Sequence, residues 1–273
     1  MSEPKTKRLL ARDLVNWIKE GLLKRERDNQ QARQGRRESH GREYFHAREV
    51  DGCPLAAYLR RLDFPEESHE RFRYCHLAEL GNFLEHLVLD AGRASSNQLT
   101  ISQQRHAKST RVGGVEVTIV GRSDARLEED GGVEVKSVSG EEFSELRSRA
   151  DVTSRRPAHL SQCLTYCYLT ESPRWFLLYV DRNDARYRCF DIKRDLKWEK
   201  ARLQELAQTE TCIQTKDPPV PKPSPACYFC PFIKFCPAFG GVPEDPSSKD
   251  GLPPSSGEEV RAPSAEICSN SPS

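Results

Sequence analysis

The chain has 273 residues, of which 36% are hydrophobic, and this is enough for a buried core. Its longest apolar runs, such as residues 175–180, are far shorter than the roughly 20 residues of a membrane-spanning helix, so we expect no membrane partner. The 42 basic and 41 acidic residues give a net charge of +1, which neither supports nor excludes binding to nucleic acid.

The two ends of the chain differ in charge. Residues 1–50 have 13 Lys and Arg against 8 Asp and Glu, whereas residues 240–273 have 2 against 6. The first residues lack the apolar stretch of a secretory signal, so we expect a cytoplasmic protein. In a reducing compartment, clustered cysteines more often hold a metal or cluster than form disulfides, and this chain has ten cysteines.

Periodicity predicts alternating helices and strands. Apolar residues at helical spacing predict an amphipathic helix over 9–23 and a second helix over 77–92. Alternation within 112–138 predicts neighbouring strands, with Gly131 and Gly132 in the turn between them. Further along, the pattern predicts a helix over 157–170, strands over about 174–181 and 186–192, a helix over 195–208, a proline-rich break at 218–225 and a disordered tail rich in Pro, Ser and Gly.

Two carboxylates and a lysine fall on the predicted strands. Asp124 ends one strand, and Glu134, Val135 and Lys136 follow on the next. Residues two apart on a strand share a face, so Glu134 and Lys136 point the same way. The two carboxylates and the Val135 carbonyl form a hard-oxygen site suited to Mg²⁺ or Mn²⁺, and a lysine there can orient an attacking water. The structural alternative is an exposed ion pair.

A glutamine and a tyrosine follow on the next helix. Gln162 and Tyr166 are four residues apart and share one helix face. The order helix, Asp, Glu-x-Lys, Gln-x-x-x-Tyr resembles the motif series of the PD-(D/E)XK nucleases of the RecB-like branch. The resemblance implies metal-dependent hydrolysis of DNA, with Asp124, Glu134 and Lys136 as catalytic residues and with Gln162 and Tyr166 supporting the substrate or the site geometry.

The family places a further metal ligand on the helix before the Asp strand, usually in a Gly-x-x-x-His pattern. Here the helix has Gly81, Glu85 and His86, so Glu85 is at the family's spacing and His86 is one position late. Adjacent helix residues lie about 100° apart, so the two are not expected to bind the same ion. The sequence leaves open which of them is the ligand.

Three cysteines lie close together after the proline-rich break. Cys227, Cys230 and Cys236 have the spacing C-x2-C-x5-C, so a closed site needs a fourth ligand from elsewhere. Cys53 precedes a proline in a segment that resembles the iron–sulfur members of the same branch, such as CRISPR-associated RecB-like exonucleases and the AddB nuclease domain. The resemblance implies a 4Fe–4S cluster that staples the ends of the nuclease domain together. A zinc site and unligated thiols are the alternatives.

The resemblance covers about residues 45–237 and implies an α/β restriction-endonuclease-like core, with a mixed central sheet flanked by helices and an iron–sulfur staple. We expect a basic extension over 1–44, the nuclease domain over 45–238 and a tail over 239–273. The implied activity is an exonuclease on single strands or DNA ends, in recombination, repair or CRISPR adaptation. A helicase or a CRISPR integrase-type protein is the implied partner, because the sequence has no helicase P-loop. The alternative functions are a non-catalytic DNA-end-binding or assembly subunit and an unrelated zinc-stabilised protein.

Overall fold

The computed structural model describes residues 43–66, 72–95, 99–101, 104–127, 131–224, 226–227 and 230–240, together with four single positions between 20 and 28. The predicted helix over 9–23 and the predicted tail lie almost entirely outside these residues. None of the described helices is both long and apolar enough to cross a membrane.

The described part of the chain contains both strands and helices, as the periodicity predicts. The strands are β1 (Phe45–His46), β2 (Leu99–Ile101), β3 (Arg105–Val112), β4 (Val115–Arg122), β5 (Ala125–Leu127), β6 (Gly131–Val138), β7 (Arg174–Asp181) and β8 (Tyr187–Lys193). The helices are α1 (Pro54–Arg61), α2 (Phe72–Ser95), α3 (Gly140–Glu145), α4 (Arg149–Arg155), α5 (Pro157–Thr170) and α6 (Leu196–Thr215).

The strands form two sheets. The larger has the order β2-β5-β6-β7-β8, in which β6 and β7 are parallel and the other pairs are antiparallel. The smaller has the order β1-β4-β3, in which β1 and β4 are parallel. Both sheets are therefore mixed, and helices cover them. The predicted α/β class, with a mixed sheet flanked by helices, is confirmed.

Helix α5 lies at the centre of the main core. Its predicted bounds are correct, and it begins with Pro157 in the first turn, where the missing N–H costs nothing. Cys163 and Cys167 have no exposed surface and pack as small apolar residues, as predicted. The inward residues of β7 face this core, and Trp175 and Tyr179 among them are fully buried. Large side chains thus fix β7 against the helix.

Helices α2 and α5 cover opposite faces of β6. Leu89 of α2 packs in one buried cluster with Val135. Tyr179, which pairs with Lys136 across β6 and β7, belongs to the main core that includes α5. Strand β6 therefore has the Val135 side chain on its α2 face and the Glu134 and Lys136 side chains on its α5 face.

Two details of the strand prediction are wrong. Strands β4 and β6 are not neighbours, because β5 pairs with β6 while β4 belongs to the smaller sheet. Gly131 and Gly132 are the first two residues of β6, where the prediction placed a turn. Gly131 has φ +106°, and a Cβ there would come within 2.1 Å of the Arg174 carbonyl oxygen. The glycine is needed for a close approach of two strands and not for a chain reversal.

Candidate functional site

Asp124 lies where the two sheets diverge, between the end of β4 and the start of β5. Its Oδ2 accepts a hydrogen bond of 2.9 Å from the backbone N–H of Val135. The N–H and C=O of one strand residue point to the same edge, so the Val135 carbonyl also lies on the edge of β6 that carries Asp124. The structure thus brings the Asp124 carboxylate and the Val135 carbonyl to one edge of the sheet.

Glu134 and Lys136 contact each other on the α5 face of β6. The Lys136 ammonium donates a hydrogen bond to Oε1 of Glu134. Glu134 is only 1% exposed, and its Oε2 is buried without a hydrogen-bond partner among the described residues. Glu134 and Lys136 therefore form a partly buried pair with an unsatisfied carboxylate oxygen. The alternative from the sequence, an exposed ion pair on the surface, does not describe this contact.

Helix α2 approaches β6 at a glycine. A Cβ on Gly81 would lie 3.4 Å from Oγ of Ser137, an ordinary van der Waals distance, so the helix lies directly against the strand at this turn. One turn later, Glu85 is half-buried, and burial together with the Asp124 carboxylate raises its pKa. His86 is exposed. Of the two residues that the sequence left open, the structure turns Glu85 towards the carboxylates and His86 towards solvent.

The two polar residues of α5 form a chain of hydrogen bonds that ends on the backbone. Gln162 Nε2 donates to the Tyr166 hydroxyl at 3.2 Å, and that hydroxyl donates to the Arg122 carbonyl at 2.6 Å. Tyr166 is 2% exposed. A Cβ on Gly121 would come within 2.7 Å of the Tyr166 ring, so this glycine admits the ring. The geometry assigns both residues to holding the chain just before Asp124.

Burial raises the pKa of each carboxyl group in the site. Burial raises the pKa of Asp124, and the Val135 N–H and Lys136 offset this only in part. Burial raises the pKa of Glu134 to about 8, with Lys136 opposing the shift and Asp124 adding to it. Burial alone would lower the pKa of Lys136, but the Glu134 carboxylate raises it. The two shifts are coupled, because each group favours the charged form of the other, and burial is the largest effect on Glu134.

Two residues of the site lack a pattern in the sequence. The Arg122 side chain is exposed beside the carboxylates and lowers the pKa of both Asp124 and Glu85. His106 on β3 lies with Nε2 at 2.9 Å from the hydroxyl of Ser123, the residue before Asp124. Arg122 precedes Asp124 by only two residues, so its position in the sequence was a signal, whereas His106 acts across strands and only the pairing of β3 with β4 would have identified it.

The four predicted cysteines lie close together near the N-terminal end of α1. Cys53 is the N-cap of α1, and its Sγ accepts a hydrogen bond of 3.3 Å from the backbone N–H of Lys222. Burial raises the pKa of the Cys230 thiol, and both Cys53 and Cys227 add to this shift. Cys53, Cys230 and Cys236 all pack against a small cluster of Leu55, Tyr58, Leu59, Phe64 and Phe232. The structure therefore brings all four predicted cysteines to one region.

Neither the carboxylates nor the cysteines surround a common point. Within the described ranges, no three His, Cys, Asp or Glu side chains converge as a metal ion requires.

The cysteine region is held by other contacts. Phe232 is fully buried against α1, and the Arg60 guanidinium stacks over its ring at 5.1 Å. Arg61 also binds Glu210 of α6 through two hydrogen bonds of 2.8 and 3.2 Å.

Comparison with known proteins shows that the fold of this chain is similar to that of solved structures. No protein-family model matches the chain, and no curated protein matches it. The chain is similar to the crystal structure of SSO0001, with a TM-score of 0.53 and 20% identity over 81% of this chain and 96% of that one. It is also similar to the alkaline exonuclease LHK-Exo from Laribacter hongkongensis, with a TM-score of 0.40 and 14% identity over 64% of this chain and 89% of that one. For LHK-Exo in complex with dAMP the TM-score is 0.39, with 14% identity over the same 64% and 89%.

Proposed function

We propose that this protein is a metal-dependent deoxyribonuclease of the PD-(D/E)XK type. The observation that carries the proposal is the buried Glu134 carboxylate, which lies next to Asp124, contacts Lys136 and has one oxygen without a partner among the described residues. A structural ion pair needs neither a second carboxylate beside it nor a buried oxygen without a donor, whereas a cation would use both as ligands.

The donor atoms are the hard oxygens that Mg²⁺ or Mn²⁺ prefers, and the carboxyl side chains would have to turn towards one another to surround the ion. Asp124, Glu134 and the Val135 carbonyl would hold the ion, with Glu85 as a further oxygen ligand; the exposed side chain of His86 gives it no such role. Burial and mutual repulsion disfavour the charged forms of these carboxyl groups, and a divalent cation would reverse that preference. When bound, the ion would supply Lewis-acid stabilisation of the charge that develops on the phosphate.

The residues of the chain would orient the reacting groups. Lys136 is an ammonium fixed beside both carboxylates, so it would donate a hydrogen bond to the attacking water and offset negative charge at the phosphate. Gln162 and Tyr166 would act through the backbone, because their hydrogen bonds end at the Arg122 carbonyl. Arg122 itself is exposed at the site, where its guanidinium would attract the DNA backbone.

We further propose that Cys53, Cys227, Cys230 and Cys236 bind a 4Fe–4S cluster with a structural role. The fit rests on two sulfur atoms that accept backbone hydrogen bonds, from Lys222 to Cys53 and from Ser224 to Cys227, each at 3.3 Å. Such bonds stabilise thiolate ligands. Ligation would close a loop between the first and last parts of the domain and lower the entropy of the unfolded chain. A zinc ion is the alternative occupant.

The proposed substrate is DNA with single strands or ends, and the proposed role is in recombination, repair or CRISPR adaptation. Any unwinding would come from a helicase partner, and a CRISPR integrase-type protein is the other proposed partner. The competing function is a DNA-end-binding or assembly subunit without catalysis. All three residues that catalysis requires, Asp124, Glu134 and Lys136, are present and adjacent, which favours the enzyme.

The test is degradation of end-labelled single- and double-stranded DNA by anaerobically purified protein with Mg²⁺ or Mn²⁺. We expect the Lys136→Ala variant to cut at least about 100-fold more slowly than the unmodified protein. Lys108→Ala is the matched control, because Lys108 also pairs with a glutamate, Glu171, but on the surface at 2.6 Å. DNA binding without cutting by the unmodified protein would favour the assembly subunit, and equal cutting by all three proteins would indicate a contaminant.

A further inference from the structure

The inner face of α5 carries a histidine that has no role in the site described above. His159 lies in the first turn of α5, three residues before Gln162 and seven before Tyr166. Residues at this spacing share one helix face, so all three side chains project towards β6 and β7. The face that supports Asp124 through Tyr166 therefore continues for one more turn, to His159.

His159 contacts a buried phenol that lies next to Lys136. Its Nδ1 is 2.9 Å from the hydroxyl of Tyr179, which is fully buried on β7. Tyr179 is the residue directly opposite Lys136 in the parallel ladder of β6 and β7. Opposed residues of adjacent strands project from the same face, so the phenol ring and the lysine side chain lie side by side under α5.

The pair is uncharged in a strongly charged neighbourhood. Burial, then the Lys136 ammonium and then the Arg156 guanidinium lower the pKa of His159 to about 3. Burial also raises the pKa of Tyr179, so both groups are neutral near pH 7. A neutral imidazole and a neutral phenol can pack against an ammonium without repelling it, whereas a charged histidine would drive Lys136 away.

We propose that His159 and Tyr179 form a hydrogen-bonded support that holds the Lys136 side chain against Glu134, so that His159 is a positioning residue for the reaction. This inference rests on the proposed function, because Lys136 is the group that is positioned. A lysine has four side-chain torsions, and one hydrogen bond to Glu134 does not fix them all. A rigid neighbour on the other side restricts the ammonium to the geometry that catalysis needs.

Four variants separate this role from simple core packing. Tyr179→Phe keeps the ring and removes the hydroxyl, and His159→Phe keeps a ring and removes Nδ1. His159→Asn retains a polar atom near the position of Nδ1 and discards the rest of the ring. Combining His159→Phe with Tyr179→Phe tests whether the two act as a unit. Tyr187→Phe is the matched control, because Tyr187 is 58% exposed on β8.

Two measurements are made on each cluster-loaded variant. The first is kcat and KM for DNA cleavage, where loss of one net hydrogen bond gives an expected fall in kcat of roughly five- to tenfold with KM unchanged. The second is the rate at which Lys136 reacts with an amine-specific reagent, read by mass spectrometry, with Lys108 as the internal reference. We expect Lys136 to react several-fold faster in the Phe variants, because its side chain is less restricted.

The inference predicts equal effects in both single Phe variants, no additional effect in the double variant and recovery in His159→Asn. It is overturned if Tyr179→Phe retains the kcat and the Lys136 labelling rate of the unmodified protein, or if the effects of the two Phe substitutions multiply. The labelling measurement needs no catalysis. If the unmodified protein does not cut DNA, the proposed function fails, and faster labelling of Lys136 still supports the positioning contact while unchanged labelling overturns it.

Discussion

The carboxylates and the cysteines occupy two regions that are built differently. Asp124 is bound to the β6 backbone and Glu134 lies within that strand, so regular structure fixes both carboxylates. Cys227, Cys230 and Cys236 lie in a segment whose described regular structure consists of short 3-10 turns. The carboxylate site is shaped by the fold itself. The cysteine region depends on contacts between distant parts of the chain.

The two regions differ in what they contribute: the carboxylate site is suited to chemistry, and the cysteine region to stability. The carboxylate site is preorganised but electrostatically unfavourable, because burial raises the pKa of both Asp124 and Glu134. The cysteine region is held by Phe232 and by ion pairs such as Arg202 with Asp51, which join α6 to the first part of the domain. We therefore expect a catalytic metal to reduce strain in one region and a cluster to add connections in the other.

The largest expected effect is the loss of activity in Glu134→Gln, accompanied by a gain in stability. We expect cleavage to fall at least about 100-fold, because a ligand of the proposed metal is lost. The folded pKa of about 8 is above the usual 4.5, so without metal the protein loses stability as pH rises from about 4.5 to about 8. Glutamine resembles the protonated form and removes this loss.

Thermal unfolding without divalent metal measures the gain. The melting temperature of Glu134→Gln should exceed that of the unmodified protein at pH 8 by a few degrees, and the difference should shrink towards pH 5. Added Mg²⁺ or Mn²⁺ should stabilise the unmodified protein and not the variant. A variant that is less stable at pH 8 would show that the ion pair with Lys136 outweighs the cost of burying Glu134.

The next effect is on the cysteine region. We expect Cys230→Ser to lose iron and sulfide in equal proportion and to unfold at a temperature several degrees lower, because the link between the two ends of the domain is broken. Cys189→Ser on β8 is the control, since this exposed thiol has no predicted ligand role. Iron analysis and thermal unfolding give the answer. Zinc in place of iron in the unmodified protein would mean that the four cysteines bind zinc and not an iron–sulfur cluster.

A comparison of Glu85→Gln with His86→Gln sharpens the assignment on α2. Glu85 is half-buried and interacts with Asp124, whereas His86 is exposed. We expect Glu85→Gln to lower cleavage about 10- to 100-fold and to weaken activation by Mg²⁺, and His86→Gln to change it less than about twofold. Titration of activity with metal distinguishes them. The opposite order would mean that α2 rotates when the site is loaded.

The parts of the site that the sequence predicts are those within one element. Glu134 and Lys136 follow from the two-residue period of a strand, and Gln162 and Tyr166 from the helical period. The choice between Glu85 and His86 depends on which side of α2 meets β6, and a sequence period cannot supply that side. Contacts between elements, such as the pairing of β5 with β6, were predicted least well.

Short elements were also missed, although the chain contains their start signals. Helices α3 and α4 are too short for an apolar period, but each begins with a capping box, Ser139 with Glu142 and Ser148 with Asp151. Helix α6 continues to Thr215, beyond the predicted end at 208, because it packs against α1 and β4. Local capping patterns would have corrected the first error, and only tertiary packing explains the second.

The smallest expected effect is that of Tyr166→Phe, and it tests whether α5 acts on the substrate or on the backbone. The hydroxyl is buried and bonded to the Arg122 carbonyl, so its loss should lower kcat roughly fivefold through a small shift of Asp124 while KM for DNA stays constant. The Arg122 carbonyl also loses a hydrogen bond, which should lower the free energy of unfolding by about 0.5–1.5 kcal/mol. A rise in KM with constant kcat would instead mean that the hydroxyl touches DNA, and the carboxylate site would then be shaped by its substrate as well as by its fold.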